Sequence, residues 1–211
     1  MPAKPPASRA RDSTRNKILK AATRIFARYG YDGGSVEKIS KSAKSVDRMI
    51  YYYFGSKEGL YLAVLEESYR RMRSIEAELN LDDLPPEDAL RRLVGFTFGH
   101  HHGNQAYIRL VMSENMERGS YLAQSKIIQE LNVPAIGAID KLYARGVAQG
   151  VFRPGLDAID IHASISALTF FNVSNQHTFG LIFKGDTRSE QAQAARRESI
   201  IEMIVRFMRA P

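Results

Sequence analysis

Apolar residues recur every three or four positions along almost the whole chain, a spacing typical of amphipathic α-helices. Near the N-terminus the pattern includes Ile18, Ala22 and Phe26, and near the C-terminus it includes Ile200 and Ile204. The chain shows neither the sustained apolar-polar alternation of strands nor the Asn-Gly pair of a tight hairpin. The spacing therefore predicts an all-α protein of about nine helices.

Glycine, proline and capping residues divide this pattern into separate helices. The first helix is predicted to begin near Asp12 or Ser13, which can cap its first turn, and to end at Gly30. Two short helices follow, over 36–43 and about 47–53, and Ser56 can cap a longer one. Five further helices are predicted, over 87–102, 104–117, 120–149, 157–183 and 189–209.

Composition limits the classes of protein that this chain can belong to. Of its 211 residues, 44% are hydrophobic, enough for a core in one or two small domains. It contains no cysteine, which excludes disulfides and thiolate metal sites. No apolar run approaches the roughly 18 residues of a membrane span, and "MPAKPPASRARDS" lacks the apolar segment of a signal peptide. We therefore expect a cytoplasmic protein with no membrane partner and no cofactor.

The positive charge of the chain is concentrated at its N-terminal end. Residues 1–60 carry 13 Lys and Arg against 5 Asp and Glu, whereas residues 61–211 carry 17 against 18. A solvated surface would spread its charge, while a module that binds a polyanion concentrates it. The asymmetry indicates nucleic acid as the leading partner, with an acidic membrane surface as the second choice.

The segment 35–54 has the proportions of a DNA-binding helix-turn-helix. Eight helical residues are followed by a turn of about three residues and a second helix of about seven. A helix of this size can enter a major groove about 12 Å wide, and the surrounding basic residues can neutralise phosphates. The second short helix is therefore predicted to be a recognition helix.

The stretch "TRNKILKAATRIFARYGYDGGSVEKISKSA", followed shortly by "MIYYYFGSKEGLYLAVLEE", closely resembles the N-terminal domain of the TetR (tetracycline repressor) family of bacterial transcription regulators. The resemblance covers about residues 13–67. It implies a helical homodimer whose last two helices form the dimer interface and whose C-terminal domain binds a small-molecule effector that weakens DNA binding. The expected domains are a disordered basic arm (1–12), a helix-turn-helix domain (13–58) and a ligand-binding and dimerisation domain (59–211).

Residues of the recognition helix are assigned by the face on which they lie. Ile50 and Phe54 are four positions apart and share one face, so we expect them to anchor the helix in the core. The resemblance implies that Tyr51, Tyr53 and Lys57 contact the DNA backbone. Such contacts position a protein without reading sequence.

Base reading is expected at the start and on the outer face of the same helix. Arg48 is the leading candidate, because a guanidinium pairs bidentately with guanine. For the basic residues the alternative is a solvated surface charge, and for Tyr52 it is a partly buried packing ring. The expected base contacts are Asp47, Arg48, Met49 and Tyr52, and the further expected DNA contacts are Thr14, Arg15, Ser35, Lys38 and Lys44.

The turn before the recognition helix departs from the family pattern. The family usually has Ala-Gly-Val and a small polar residue here, but this chain has Ala43-Lys44-Ser45-Val46. Lys44 therefore replaces a glycine that reaches positive φ without strain. Ser45 is expected to cap the recognition helix one residue early, which would change the register of the base-contacting residues.

The run "GHHHGN" over 99–104 raises the possibility of a metal site. Adjacent histidines diverge by about 100° around a helix, whereas a zinc pair normally needs a separation such as i, i+4. We therefore predict no metal and expect a helix end with exposed imidazoles, one of which could line a pocket.

Residues 168–179, "LTFFNVSNQHTF", mix aromatic rings with polar side chains inside an otherwise apolar helix. Apolar walls with a few polar groups suit a small-molecule site. The alternative is that these polar groups lie at the dimer seam or satisfy one another in the core. The candidate ligand residues are Phe96, His100, Met112, Asn115, Phe171 and Asn175.

These patterns favour a ligand-responsive transcriptional regulator, expected to be a repressor that binds a near-palindromic operator as a dimer. A second hypothesis is an architectural or division-related DNA-binding protein of the same fold without a ligand. A third is an enzyme that uses the histidine run, although the sequence offers no nucleophile-base constellation and no phosphate-cradling glycine loop. The chain is therefore expected not to be an enzyme.

Overall fold

The computed structural model describes the backbone of residues 6–211 and the side chains of residues 12–211. Within that part of the chain there are ten α-helices, two short 3₁₀-helices and no β-strand, which confirms the all-α prediction. None of the described helices is long and apolar enough to cross a membrane. The helices are α1 (Pro6–Gly33), α2 (Val36–Ala43), α3 (Asp47–Phe54), α4 (Lys57–Ala77), α5 (Pro86–Gly103), α6 (Gln105–Met116), α7 (Lys126–Ala148), α8 (Ala158–Ser174), α9 (Gln176–Phe183) and α10 (Glu190–Met208).

The chain forms two compact units. The first unit comprises Met1–Tyr69 and Arg109–Ile128, and the second comprises Arg70–Ile108 and Gln129–Pro211. Each unit has its own cluster of buried apolar side chains. Because α4, α6 and α7 continue from one range to the next, the division falls inside helices and not at linkers.

The core of the first unit holds the three N-terminal helices together. Each of the helices α1 to α4 contributes side chains that are fully or almost fully buried in this core, as their amphipathic patterns predict. The segment 109–128 adds further apolar side chains to the same cluster. Its largest buried members are Ile18, Phe26, Ile39, Ile50, Leu60, Tyr61, Leu65 and Leu110.

The core of the second unit lies between α5, α8 and α10, with side chains from α7. Phe152 packs so closely against Gly146 that no side chain would fit at that glycine. An isolated antiparallel bridge joins Phe152 to Arg209 and fixes the C-terminal end of α10. The predicted apolar stripe of the last helix is buried here, at Ile200, Ile201, Ile204, Val205 and Met208.

The predicted helices differ from the structure most clearly in three places. Helix α1 begins at Pro6, ahead of the expected start, because proline is tolerated in a first turn where its missing N–H has no partner to lose. The predicted helix over 157–183 is divided at Asn175, whose φ of −105° and ψ of 3° separate α8 from α9. The segment 120–149 contains a 3₁₀-helix, Leu122–Gln124, before α7. Residues 1–5 of the predicted disordered arm lie outside the described residues.

Candidate nucleic-acid interface

Helix α2 is capped at both ends by its own flanking residues. The Ser35 hydroxyl accepts a hydrogen bond from the Lys38 N–H at 3.2 Å, as expected for an N-cap serine. At the other end Lys44 has a left-handed conformation, with φ 52° and ψ 47°. The next N–H, that of Ser45, donates to the Ser40 carbonyl at 2.9 Å and closes the turn. Lys44 thus adopts the conformation usual for glycine despite its side chain.

The start of α3 follows directly from this turn. Val46 occupies the N-cap position with extended backbone, and no side chain caps the helix, so the expectation that Ser45 caps it one residue early is wrong. The hydrogen bond from the Ser45 N–H to the Ser40 carbonyl places Ser45 in the turn that ends α2. The Asp47 carboxylate instead accepts a hydrogen bond from the buried Ser40 hydroxyl, which ties the first residue of α3 to α2. This contact fixes the register of the recognition helix.

Replacing Lys44 by glycine is expected to stabilise the protein by about 1 kcal/mol, because glycine removes the steric cost of positive φ. The free energy of unfolding from urea denaturation would measure the gain. Lys41, in the last turn of α2, provides a matched control. Lys41→Gly should destabilise by about 1 kcal/mol, since glycine is a poor residue inside a helix. Equal effects of the two substitutions would contradict the left-handed assignment.

Helix α3 has one buried side and one exposed side. Ile50 is fully buried, and Met49, Tyr53 and Phe54 pack as half-buried side chains against the same core. On the other side Arg48 is exposed, and Tyr51 and Tyr52 are 52% and 65% exposed. The Tyr52 and Tyr53 rings meet edge to face with centroids 5.0 Å apart. The helix therefore presents one guanidinium and two phenols to solvent on a firmly anchored backbone.

The junction between α3 and α4 is tight. Gly55 ends α3 with φ 75°, and the Ser56 hydroxyl accepts a hydrogen bond from the Gly59 N–H at 2.9 Å, as predicted for its capping role. A Cβ on Gly59 would lie closer than 3.0 Å to the backbone carbonyl oxygen of Phe54. Gly59 is thus required by the close approach of α4 to the end of the recognition helix.

Lys57 lies beside an aromatic cluster that the sequence pattern does not indicate. Its ammonium is 4.3 Å from the centre of the Tyr31 ring and donates to the Asp32 carbonyl at 3.4 Å. Tyr31 in turn packs against Tyr61 and Tyr121, with centroid distances of 5.2 and 4.4 Å. These residues are distant in sequence, so no local pattern could have indicated the cluster.

Burial in this cluster changes the acidity of two phenols. Burial raises the pKa of Tyr61 well above its usual range, and the nearby Glu114 carboxylate raises it further. Burial, together with Tyr31, raises the pKa of Tyr121 to about 12. Both phenols therefore stay neutral at physiological pH. Glu114 is itself buried and accepts a hydrogen bond from the Leu122 N–H at 2.9 Å, which ties α6 to the segment that follows it.

The remaining predicted DNA contacts lie on α1 and α2. The Arg15 guanidinium is 5.1 Å from the centre of the Phe54 ring, which brings it next to the end of α3. Lys38 is exposed, donates to the Gly33 carbonyl at 3.0 Å and lies 4.9 Å from the centre of the Tyr29 ring. Thr14 is half-buried on α1.

The histidine run lies at the end of α5 and is not arranged as predicted. His102 is exposed, but His100 and His101 are buried, so the expected row of exposed imidazoles is wrong. The ring of His101 stacks on Tyr107 and meets Phe170 edge to face, with centroid distances of 6.0 and 5.9 Å. Among the described residues no group of three or more His, Cys, Asp or Glu could hold a metal ion.

Burial favours the neutral form of His100 and His101, and of His162 on α8. Burial, followed by the charges of His100 and His162, lowers the pKa of His101 to about 4, and burial also lowers the pKa of His100 and of His162. The Thr169 hydroxyl lies 2.8 Å from the Ile165 carbonyl oxygen and 3.0 Å from His101 Nδ1. The hydrogen bond between His101 and Thr169 connects α5 to α8.

The structure separates the predicted ligand residues into groups. Phe171 and Asn175 line a cavity in the second unit, at the end of α8. Phe96 and His100 are neighbours on α5, with ring centroids 5.9 Å apart. Met112 and Asn115 belong to the first unit, where both are exposed and the Asn115 amide donates to the Val111 carbonyl at 2.9 Å.

The second helix of this helix-turn-helix is anchored by one face and exposes basic and phenolic side chains on the other. This arrangement is typical of one class of protein, the DNA-binding transcription regulators. Within that class, residues 18–64 match the family model "Bacterial regulatory proteins, tetR family", and residues 86–204 match "Tetracyclin repressor-like, C-terminal domain". The chain belongs to the TetR family, which confirms the resemblance seen in the sequence.

Individual relatives agree with this assignment. The chain is 37% identical over 198 residues to the HTH-type transcriptional repressor NicS of Pseudomonas putida, covering 94% of this chain and 93% of that protein. A putative transcriptional regulator of Streptomyces coelicolor, SCO4942, has a similar structure, with a TM-score of 0.69 at 26% identity over 94% of this chain and 99% of that one. A tetR-family regulatory protein of Rhodococcus RHA1 has a TM-score of 0.74 at 19% identity, over 94% and 98% of the two chains. The last comparison concerns the fold alone.

Proposed function

We propose that this protein is a transcriptional repressor that binds a near-palindromic operator as a homodimer and is released by a small-molecule effector. The observation that carries the proposal is the exposed face of α3, where Arg48, Tyr51 and Tyr52 stand free of the core while Ile50 holds the helix in place. By linkage, the effector must bind the form that does not bind DNA more tightly than the form that does.

Dimerisation through the C-terminal helices is part of the same proposal. A dimer presents two recognition helices to half-sites about 34–36 Å apart. Several large apolar side chains on α9 and α10 that lie outside the cavity lining are exposed in the single chain, which is typical of a surface that binds a partner. These are Leu181, Ile182, Phe183, Met203 and Phe207.

The proposed DNA contacts are divided by role. Arg48 and Tyr52 are the leading base contacts, and Met49 and Asp47 lie beside them. The Asp47 carboxylate already accepts a hydrogen bond from the Ser40 hydroxyl. The proposed backbone contacts are Thr14, Arg15, Ser35, Lys38, Lys44, Tyr51, Tyr53 and Lys57. The proposed effector residues are Phe171 and Asn175 at their cavity, with Phe96, His100, Met112 and Asn115 as the other candidates.

Selection of bound fragments from the source genome tests the proposal directly. We expect enrichment of an inverted repeat, protected over two half-sites in a footprint, with one dimer bound in a mobility-shift assay. Fragments enriched without any common motif would favour the architectural alternative. An enzyme would lose activity on substitution of His100 to His102 and keep it in Arg48→Ala, whereas a regulator should show the reverse for operator binding.

Arg48→Ala is expected to relax base preference at a single operator position in each half-site, at a cost of about 1–3 kcal/mol for the preferred base. The physical reason is the loss of a bidentate contact to one base, while phosphate contacts remain. Binding to a set of operators with single-base changes measures the effect. Arg92→Ala, at an exposed arginine of α5, is the control and should leave the profile intact. An unchanged profile in Arg48→Ala would remove this residue from base reading.

Lys57→Ala is expected to weaken binding to operator and unrelated DNA by similar factors. Loss of one phosphate contact should reduce the slope of log affinity against log salt concentration by about 1. Titrations at several salt concentrations provide the slope, and Lys126→Ala, at an exposed lysine of α7, serves as the control. A change of sequence preference in Lys57→Ala would show that this lysine reads bases.

A further inference from the structure

A cavity of about 590 Å³ lies in the second unit, between the end of α8, α9 and the beginning of α10. Its volume falls within the range of about 300–1,000 Å³ usual for small-molecule sites. Aromatic rings and methyl groups form its apolar walls: Phe171, Phe179, Ala192 and Ala195.

The polar side chains of this cavity are held in place by hydrogen bonds. The Asn172 amide donates to Gln193 Oε1 at 2.9 Å, and the Gln193 amide donates to the Thr187 carbonyl. Gln193 is buried, as is Gln176 on the opposite helix. Because Gln193 uses both ends of its amide inside the protein, it fixes the wall between α8 and α10 without itself needing a ligand.

Arg196 is the one cationic residue among those that line the cavity, and it is half-buried. Within residues 12–211 no carboxylate forms an ion pair with its guanidinium. The one acidic residue of the lining, Asp186, accepts hydrogen bonds from the backbone N–H groups of Arg188 and Ser189, at 3.1 and 3.0 Å. A hydrogen bond with the Ser189 side chain lowers the pKa of Asp186, and the two backbone hydrogen bonds lower it further, so its charge is held just before α10.

We propose that this cavity binds an organic monocarboxylate with an apolar body, whose carboxylate pairs with Arg196. A guanidinium matches a planar carboxylate bidentately, and an unpaired one beside apolar walls gains most from such a partner. The lining holds one cationic residue, Arg196, and one anionic residue, Asp186. A ligand with a single negative charge is therefore favoured over a dianionic phosphate, which the Asp186 carboxylate would repel. The apolar part of the ligand lies against Phe171 and Phe179. The role of this ligand as the effector rests on the proposed function, but its binding does not.

Calorimetric titration of the full chain without DNA tests the site. The probes are 4-phenylbutyrate and octanoate, each compared with its neutral primary amide. We expect each acid to saturate one site per chain and to bind at least about tenfold more tightly than its amide. Arg196→Gln should remove this difference by weakening the acid and leaving the amide unchanged. Arg206→Gln, on the same helix but outside the cavity, is the matched control and should behave as the unsubstituted protein.

Ala192→Leu distinguishes the cavity from a simple surface attraction, since it fills the apolar space and leaves Arg196 in place. This substitution should weaken the binding of acid and amide alike, with circular dichroism showing an unchanged helix content.

The proposal is overturned if no acid saturates the site at millimolar concentration, if acid and amide bind equally, or if Arg196→Gln binds the acid normally. It is also overturned if no acid binds while Arg196→Gln changes the dimer dissociation constant, because the cavity would then belong to the contact between two copies. Failure to find an operator would leave these titrations unaffected, so the two proposals fail separately.

Discussion

Gly59→Ala is expected to destabilise the protein by about 2–3 kcal/mol and to weaken operator binding at least about tenfold. The added methyl group would overlap the carbonyl oxygen of Phe54, and a backbone atom cannot move aside as a flexible side chain does. Relief requires α4 to shift away from the end of α3, which displaces the recognition helix. The free energy of unfolding from urea denaturation and the operator affinity from mobility shifts measure the two effects.

Gly137→Ala is the matched control for this substitution. Gly137 lies inside α7, and a Cβ there would meet no atom within 4 Å. Alanine should therefore leave operator binding unchanged and stabilise the helix by about 0.5–1 kcal/mol. If Gly59→Ala stabilised the protein as Gly137→Ala does, the close approach of α4 to Phe54 would be contradicted.

Ile50→Ala is expected to reduce the free energy of unfolding by about 2–5 kcal/mol, because it leaves a cavity in the core of the first unit. Ile50 is the one fully buried side chain that α3 contributes among the described residues. Its loss should also loosen the recognition helix, so we expect weaker binding to all operator variants without a change of base preference. Denaturation and the same operator set measure both results.

Ile159→Ala provides the comparison at an exposed isoleucine, which is 62% exposed at the start of α8. This substitution should change stability by no more than about 0.5 kcal/mol. Equal losses in Ile50→Ala and Ile159→Ala would mean that Ile50 does not anchor α3. A changed base preference in Ile50→Ala would place its effect at the DNA contact and not in the core.

Helix positions were largely predictable from the sequence because they depend on local signals. The spacing of apolar residues identified α2 and α3, and Ser35 and Ser56 were expected caps that the structure shows in place. The same local reasoning failed at Ser45, because that residue lies in the turn that ends α2 and Val46 takes the N-cap position of α3. Local reasoning also failed at Asn175. Asparagine can occur inside a helix, so the sequence predicted one continuous helix, but this residue lies at the break between α8 and α9.

The histidine run shows a different limit. Sequence alone could state that adjacent imidazoles diverge around a helix, but not which of them would face the interior. His101 is buried because Thr169 and Phe170 of α8 lie against it, and these residues are almost seventy positions away. The sequence likewise named Phe171 and Asn175 as ligand candidates but not Arg196, since the pairing of α8 with α10 brings that cation to the cavity.

The sequence by itself determined the all-α class and the face of α3 that enters the core, because both depend on residue spacing and local capping, and its resemblance to the TetR family indicated the family. Only the tertiary structure decided the left-handed conformation of Lys44, the Ser40–Asp47 contact that fixes the recognition register, and the lack of a carboxylate partner for Arg196 among residues 12–211. Each of these depends on which helices pack together, and the free energy of packing comes from contacts between residues that are distant along the chain.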